Sequence, residues 1–141
     1  MEQYLEFAGN HQLLVGAFVI ILGMLAWNLI TDPSGKNAVG PADATALINH
    51  ENAVVIDVRN ASEFNAGHIV NAINIPLGEI KSQLTQLDKY KNKQVLLACR
   101  SGSRSGLATK TLLSAGFENA YNLRGGMLAW ESASLPVTRK S

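Results

Sequence analysis

The chain has 141 residues, which is enough for one ordinary domain and a short additional segment. Hydrophobic residues make up 47% of it and the formal net charge is +1, so a core is available but no basic surface for nucleic acid is indicated. A single cysteine, Cys99, excludes an internal disulfide. The three histidines are far apart and show no metal-ligand spacing, so we expect no bound metal.

An uncharged apolar segment near the start of the chain predicts a transmembrane helix. Residues 13–30, "LLVGAFVIILGMLAWNLI", contain one strongly polar residue, Asn28. As a helix they span about 27 Å, close to the roughly 30 Å of a hydrocarbon core. Residues 1–12 carry Glu2 and Glu6 but no Lys or Arg, and no clear cleavage site follows, which argues against a signal peptide. The sequence therefore predicts an N-terminal flank, a lipid-embedded helix and a separate globular part.

The boundaries after the helix follow from composition. Residues 31–37, "TDPSGKN", are rich in turn formers and predict a linker, so that residues 38–141 form the globular domain. Lys36 is a positive charge close to the apolar segment on its C-terminal side, and residues 1–12 contain none. By the positive-inside rule, we expect the globular domain to lie in the cytoplasm.

Strand and helix signals alternate through residues 38–141. Pro41 is typical of a helix start, Asn60 with Glu63 forms a capping-box pattern, and Gly116 is a typical helix stop. β-branched and apolar runs predict buried strands. The predicted helices are 41–50, 60–68, 77–90, 104–116 and 126–133, and the predicted strands are 53–58, 72–76, 94–98 and 120–123. This alternation predicts an α/β fold with a parallel sheet covered on both faces.

The segment "CRSGSR" concentrates the chemistry of the sequence. Cys99 follows a predicted strand, at the carboxyl edge where open parallel sheets bind ligands. Backbone N–H groups of a Gly/Ser-rich loop and the start of a helix favour an anion there, and the arginines add positive charge. Such surroundings lower a cysteine pKa from ~8.5 to roughly 3.5–7.5. We therefore expect Cys99 to be a nucleophile, with a buried structural cysteine as the alternative. The candidate loop residues are Arg100, Ser101, Gly102, Ser103 and Arg104.

Three motifs in order resemble the single-domain rhodaneses: "VVIDVRNASEFNAGHIVNAINIP", "CRSGSRS" and "NLRGGMLAW". The resemblance covers residues 38 to about 136. It implies an α/β domain with a central five-stranded parallel sheet. It also implies that Cys99 takes sulfur from thiosulfate or a related donor, holds it as a persulfide, and passes it to a thiol or cyanide. A protein could serve as the sulfur acceptor.

The resemblance bears on cofactors and location as well. No metal or organic cofactor is implied, because the sulfur is carried on the cysteine itself. The chain also resembles membrane-anchored bacterial rhodanese-like proteins that have one N-terminal helix. This implies a single-pass protein of the bacterial inner membrane. We expect Gly125 and Gly126 in the last motif to allow close approach of the backbone near the pocket.

The family pattern suggests roles for the remaining polar residues. Asp57 would buttress the active-site loop and Arg59 would tie down neighbouring segments. Arg104 would orient the loop by bonding backbone carbonyls or substrate oxygens, and Arg100 would guide anions from solvent. We expect His68 to fix a turn through side-chain hydrogen bonds rather than to act as a base.

Two other functions compete with sulfur transfer. One is a cysteine phosphatase, whose related loops place five residues between cysteine and arginine. Here four residues separate Cys99 from Arg104, and the next position is Ser105, which predicts a smaller cradle suited to a single sulfur. The other is a non-catalytic module that only docks a partner at the membrane. The presence of the cysteine and its full loop favours the enzyme.

Overall fold

The computed structural model describes residues 1–31 and 36–140. Its contacts divide the chain into two compact units, Met1–Asp32 and Pro33–Ser141. Most of the predicted linker, at positions 32–35, lies outside the described residues.

The first unit consists of two helices, α1 (Glu2–Asn10) and α2 (Gln12–Thr31). The predicted segment 13–30 lies within α2. Its stretch Gln12–Ile30 is long and apolar enough to cross a membrane by length and composition, and none of it is buried. Large apolar side chains such as Leu13 and Trp27 are exposed. Exposed apolar surface of this extent is typical of segments that contact a membrane or another protein.

The second unit is built on a five-stranded parallel sheet, as expected from the resemblance. The strands are β1 (Ala38–Val39), β2 (Val54–Asp57), β3 (His68–Ile69), β4 (Ile73–Asn74), β5 (Val95–Ala98), β6 (Ala120–Leu123) and β7 (Val137–Thr138). The order in the five-stranded sheet is β1-β6-β5-β2-β4, with all pairs parallel. The helices are α3 (Pro41–Glu51), α4 (Ala61–Ala66), α5 (Leu84–Leu87), α6 (Ser103–Ser114) and α7 (Gly126–Ser132).

Two hydrophobic cores lie on the two faces of this sheet. Successive side chains of a strand point to opposite faces, and β2 and β5 follow this rule. Ile56 and Leu97 belong to the core that includes α6, whereas Val55 and Leu96 belong to the core that includes α7. Burial on both faces explains why these strands are continuous apolar runs in the sequence.

The predicted helix 77–90 is wrong as a continuous α-helix. The structure has 3₁₀ turns at Leu77–Glu79, Lys81–Gln83 and Asp88–Tyr90 around the short α5. The Ser82 hydroxyl donates to the backbone carbonyl of Glu79, and such local bonds compete with regular helix. The apolar spacing was nevertheless meaningful, because Ile80 and Leu87 are buried.

A second, two-stranded sheet was not predicted. β3 pairs antiparallel with β7, close to the C-terminal end of the chain. His68, in β3, is buried, and its Nδ1 and Nε2 atoms lie 2.7 Å from the carbonyl oxygens of Phe64 and Lys140. These contacts are the side-chain hydrogen bonds expected of a residue that fixes a turn.

Candidate active site

Cys99 lies immediately after β5, at the carboxyl edge of the parallel sheet. The loop that follows leads directly into α6, whose N-cap is Gly102 with φ +102. A positive φ of this kind favours glycine, because residues with a Cβ rarely adopt it. A Cβ on Gly102 would lie 3.4 Å from the backbone of Gly125 and Leu123. The loop therefore depends on a glycine to turn the chain back over the cysteine.

Two hydrogen-bond donors converge on the sulfur of Cys99, which is fully buried. The backbone N–H of Gly102 donates to Sγ at 3.0 Å. The hydroxyl of Ser105, in the first turn of α6, lies 3.2 Å from the same atom. Hydrogen-bond donors of this kind stabilise negative charge on a sulfur.

Burial and hydrogen bonding have opposite effects on the pKa of the Cys99 thiol. Burial raises the pKa, because it disfavours the charged thiolate. The side-chain hydrogen bond from Ser105 lowers it, as do the backbone N–H groups of Ser105, Gly102 and Ser101. The combined effect of the hydrogen bonds is larger than that of burial, so the pKa of the thiol lies below its ordinary value. The site thus favours the nucleophilic form of the sulfur.

The start of α7 supports the loop from beneath. The N–H of Met127 donates to the carbonyl oxygen of Cys99 at 2.7 Å, and that of Leu128 donates to Arg100 at 3.1 Å. These bonds turn the loop's carbonyls away from the sulfur and leave its N–H groups facing inward. They require a close approach at Gly126, as the sequence suggested for this position.

The guanidinium of Arg104 is paired with the carboxylate of Glu63, a residue that the sequence pattern places only in a helix cap. The two Arg104 Nη atoms donate to the Glu63 oxygens at 2.8 and 2.9 Å. The hydrogen bond from Arg104 lowers the Glu63 pKa, and Glu63 in turn raises that of Arg104. Both side chains are partly exposed, so the pair contributes at most about 1 kcal/mol. Arg104 thus joins α6 to α4, and its expected role in orienting the loop stays a prediction.

Asp57 and Arg59 form a buried ion pair at the end of β2. The Arg59 Nη2 atom lies 2.7 Å from Asp57 Oδ2, and the Arg59 backbone N–H also binds Asp57. The same Nη2 donates to the carbonyl of Gly67 at 2.7 Å. Arg59 therefore joins the end of β2 to the segment after α4. The Asp57 carboxylate accepts hydrogen bonds from Arg59, and the supporting roles expected of the two residues stay predictions.

The remaining loop residues present their side chains outward. Arg100, Ser101 and Ser103 are exposed, and the hydroxyls of the two serines lie 3.5 Å apart. Among residues 1–31 and 36–140, no group of three or more His, Cys, Asp or Glu side chains could hold a metal.

Two residues around the sulfur are not among the candidate site residues of the sequence. In the sequence Ser105 marks only the loop spacing, yet its hydroxyl contacts Sγ. Asn122 is a polar residue inside the strand "AYNL", and it binds both Ser105 and Gly102. A polar residue in a buried strand needs a partner, which was the available signal.

Comparison with known proteins assigns the chain that carries this site to a protein family. The family model described as the rhodanese-like domain matches residues 40–133. The chain belongs to the rhodanese-like family. The matched stretch includes all of the loop, the ion pair of β2 and the supporting turn before α7. Membership in this family indicates a sulfurtransferase type of activity.

Relatives of this rhodanese-like chain match it over its whole length or over the rhodanese-like domain. The Escherichia coli protein YibN is 33% identical, and the match covers 99% of each chain. A sulfurtransferase of Allochromatium vinosum is 33% identical and covers 64% of this chain and 83% of its own. The crystal structure of a rhodanese-related protein from Thermoplasma volcanium has a TM-score of 0.67 at 30% identity, covering 74% of this chain and 99% of that one.

Proposed function

We propose that this protein is a membrane-anchored sulfurtransferase that carries sulfur as a persulfide on Cys99. The observation that carries the proposal is the pair of donors on the sulfur, the Gly102 N–H and the Ser105 hydroxyl, at 3.0 and 3.2 Å. They stabilise a thiolate at the carboxyl edge of the sheet. A thiolate there is a nucleophile without any metal or organic cofactor.

The proposed reaction has two displacement steps. The Cys99 thiolate attacks the outer sulfur of thiosulfate, forming a Cys99 S–S bond as the S–S bond of thiosulfate breaks. Sulfite leaves with the bonding electron pair, and the negative charge remains on the outer sulfur of the persulfide. A thiolate or cyanide then attacks that outer sulfur and releases the Cys99 thiolate. The inward N–H groups stabilise the anionic sulfur in each state.

The surface around the loop supports small anionic donors. Arg100 is exposed beside the buried sulfur, where a positive charge attracts anions. The acceptor would be a small thiol, cyanide or the cysteine of a partner protein. Asp57 and Arg59 would support the site from β2 without contacting the donor.

The contacts of Arg104 favour sulfur over phosphate chemistry. A cysteine phosphatase needs a free guanidinium to hold the phosphoryl oxygens in a bidentate fashion. Both Nη atoms of Arg104 are bound to Glu63 instead. Together with the four-residue spacing between Cys99 and Arg104, this makes the loop a poor phosphate cradle. A purely docking module would not need the donors on the sulfur, which favours the enzyme over that alternative as well.

Intact-mass measurement tests the proposal and identifies the donor class. We expect the full chain, incubated with thiosulfate, to gain one sulfur atom of about 32 Da, which a thiol reductant removes. Polysulfide and a protein persulfide tested in parallel would rank the donors. Because Cys99 is the only cysteine, any reducible adduct reports on it alone. No adduct with any of these donors would contradict the proposed activity.

We further propose that residues 13–30 form a transmembrane helix in the bacterial inner membrane. Residues 1–12 would be its flank, residues 31–37 a linker, and residues 38–141 a cytoplasmic catalytic domain. The length and exposed apolar surface of α2 support the span. Lys36 on the C-terminal side supports the orientation.

Cysteine labelling in cells tests this topology. In a Cys99→Ser background, single reporters are placed at exposed positions by Gln3→Cys and Lys93→Cys. We expect an impermeant thiol reagent to label the first in intact cells and the second only after permeabilisation. Both proteins should remain in the membrane pellet after a carbonate wash. Labelling of Lys93→Cys in intact cells would show the opposite orientation. Release of the protein by carbonate would refute the transmembrane helix.

A further inference from the structure

Two buried polar side chains stand behind the Cys99 sulfur, outside the loop of residues 99–104. Ser105 is 0% exposed and Asn122, on β6, is 8% exposed. The Ser105 Oγ lies 3.2 Å from Cys99 Sγ and 2.6 Å from Asn122 Oδ1. The Asn122 Nδ2 donates to the Gly102 carbonyl oxygen at 3.0 Å. The contacts form a closed ring, because the Gly102 N–H itself donates to Sγ.

The neighbours of the Asn122 amide determine its orientation. Its Nδ2 must face the carbonyl oxygen of Gly102, since an amide oxygen there would oppose another acceptor. Its Oδ1 therefore faces Ser105 and has no proton to donate. Gly106 leaves room for this arrangement, because a Cβ there would lie 3.3 Å from Nδ2. The single hydroxyl proton of Ser105 therefore faces two acceptors, Asn122 Oδ1 at 2.6 Å and Cys99 Sγ at 3.2 Å.

That one proton has two acceptors. When Cys99 is a thiol, its S–H donates to Oγ while the hydroxyl donates to Asn122, and each of these groups is satisfied. When Cys99 is a thiolate, the hydroxyl turns to the sulfur, because a charged acceptor binds a donor more strongly than a neutral one. The state of the sulfur therefore decides which acceptor the hydroxyl serves.

We infer that Ser105 is a switchable hydrogen-bond donor. Its hydroxyl donates to Sγ while the sulfur is a thiolate and donates to Asn122 again once the persulfide has formed. In the persulfide the negative charge lies on the outer sulfur, so Sγ is no longer the stronger acceptor. Ser105 touches the reacting atom, whereas Asn122 is a positioning residue that receives the released hydroxyl. This inference rests on the proposed function for the persulfide state and extends it beyond the backbone donors of the loop.

Alkylation of the full-length protein in detergent tests the thiolate state. The pH dependence of the iodoacetamide rate gives the thiol pKa of the single cysteine directly. We expect Ser105→Ala to raise this midpoint by about one pH unit, because a hydrogen bond to a charged group is lost. Below both midpoints, alkylation should be about tenfold slower than in the wild type.

Thr109→Val is the matched control. Thr109 is equally buried one turn further along α6, and its hydroxyl donates to the backbone carbonyl of Ser105 rather than to the sulfur. Loss of this hydroxyl should leave the midpoint unchanged. A shift in Ser105→Ala no larger than that in Thr109→Val would overturn the inference.

A second measurement uses the unsubstituted protein. The NMR resonances of the Asn122 side-chain amide should titrate with the Cys99 midpoint and return towards their thiol-state positions when the persulfide forms. The Asn74 amide, which donates to the carbonyls of Asp57 and Arg59, should not move. Constant Asn122 resonances across the titration would refute the switch.

The two experiments separate this inference from the proposed function. Alkylation needs no sulfur donor, so a shifted midpoint without any sulfur adduct would refute the sulfurtransferase and retain the Ser105 donor. A sulfur adduct on Cys99 together with an unshifted alkylation midpoint in Ser105→Ala would retain the sulfurtransferase and refute the Ser105 donor.

Discussion

Replacing Cys99 by serine should abolish sulfur transfer from thiosulfate to cyanide, lowering the rate by roughly 10³-fold or more. The reason is that a serine hydroxyl is barely ionised at neutral pH, so the donors that stabilise a thiolate have no anion to hold. The same substitution should eliminate the reducible mass adduct. Both quantities are measured on the full-length protein in detergent, by a thiocyanate assay and by intact mass.

Two controls make this result specific. Urea unfolding should show that Cys99→Ser is folded, because the substitution changes a single buried atom. Hydrolysis of an aryl phosphate should be negligible in both proteins, since the Arg104 guanidinium is already paired with Glu63. Sulfur transfer that persists in Cys99→Ser would refute the persulfide mechanism. A strong phosphatase activity that depends on Cys99 would refute the argument from loop length.

The substitution Gly126→Ala should disrupt the active-site loop from beneath. A Cβ at this position would lie 2.4 Å from the Cys99 carbonyl oxygen and 2.6 Å from the Arg100 carbonyl group, and φ is +56. The obstacle is backbone rather than a flexible side chain, so the loop or α7 must move. We expect a loss of roughly 2–5 kcal/mol in the free energy of unfolding, from overpacking together with backbone strain. Sulfur transfer should fall with it, because the displaced loop no longer directs its N–H groups at the sulfur.

The matched control for this prediction is Gly40→Ala. Gly40 precedes α3, lies in open space and has no positive φ. Its substitution should leave both the urea midpoint and sulfur transfer close to wild type. If Gly126→Ala behaved in the same way, the support of the loop by α7 would be wrong.

Much of the fold follows from local patterns in the sequence. The apolar runs around Val55 and Leu96 predicted buried strands, because burial on both faces demands continuous hydrophobicity. Asn60 predicted a helix start, and its side chain accepts a hydrogen bond from the Glu63 N–H. The sequence motifs also located the loop from Cys99 to Arg104 at the carboxyl edge of the sheet. Each of these signals lies within a few neighbouring residues.

Other elements have local sequence signals that are weak or ambiguous. Apolar spacing in residues 77–90 predicted one helix, but the segment forms 3₁₀ turns around a short α-helix, with the Ser82 hydroxyl bonded to the Glu79 carbonyl. β1 and β3 have two residues each, too few to carry a periodic pattern. Their pairing energy comes from partners distant in the chain, as in β3 with β7.

Sequence alone therefore determined the fold class, the apolar N-terminal helix and the position of the cysteine loop, because these depend on residue types and short-range spacing. Only the tertiary structure decided which side chains meet around the sulfur. Glu63 reaches Arg104 across 41 positions, and Asn122 reaches Ser105 across 17. Such pairs form because helices α4 and α6 and strand β6 converge at one edge of the sheet, and no local pattern encodes that convergence.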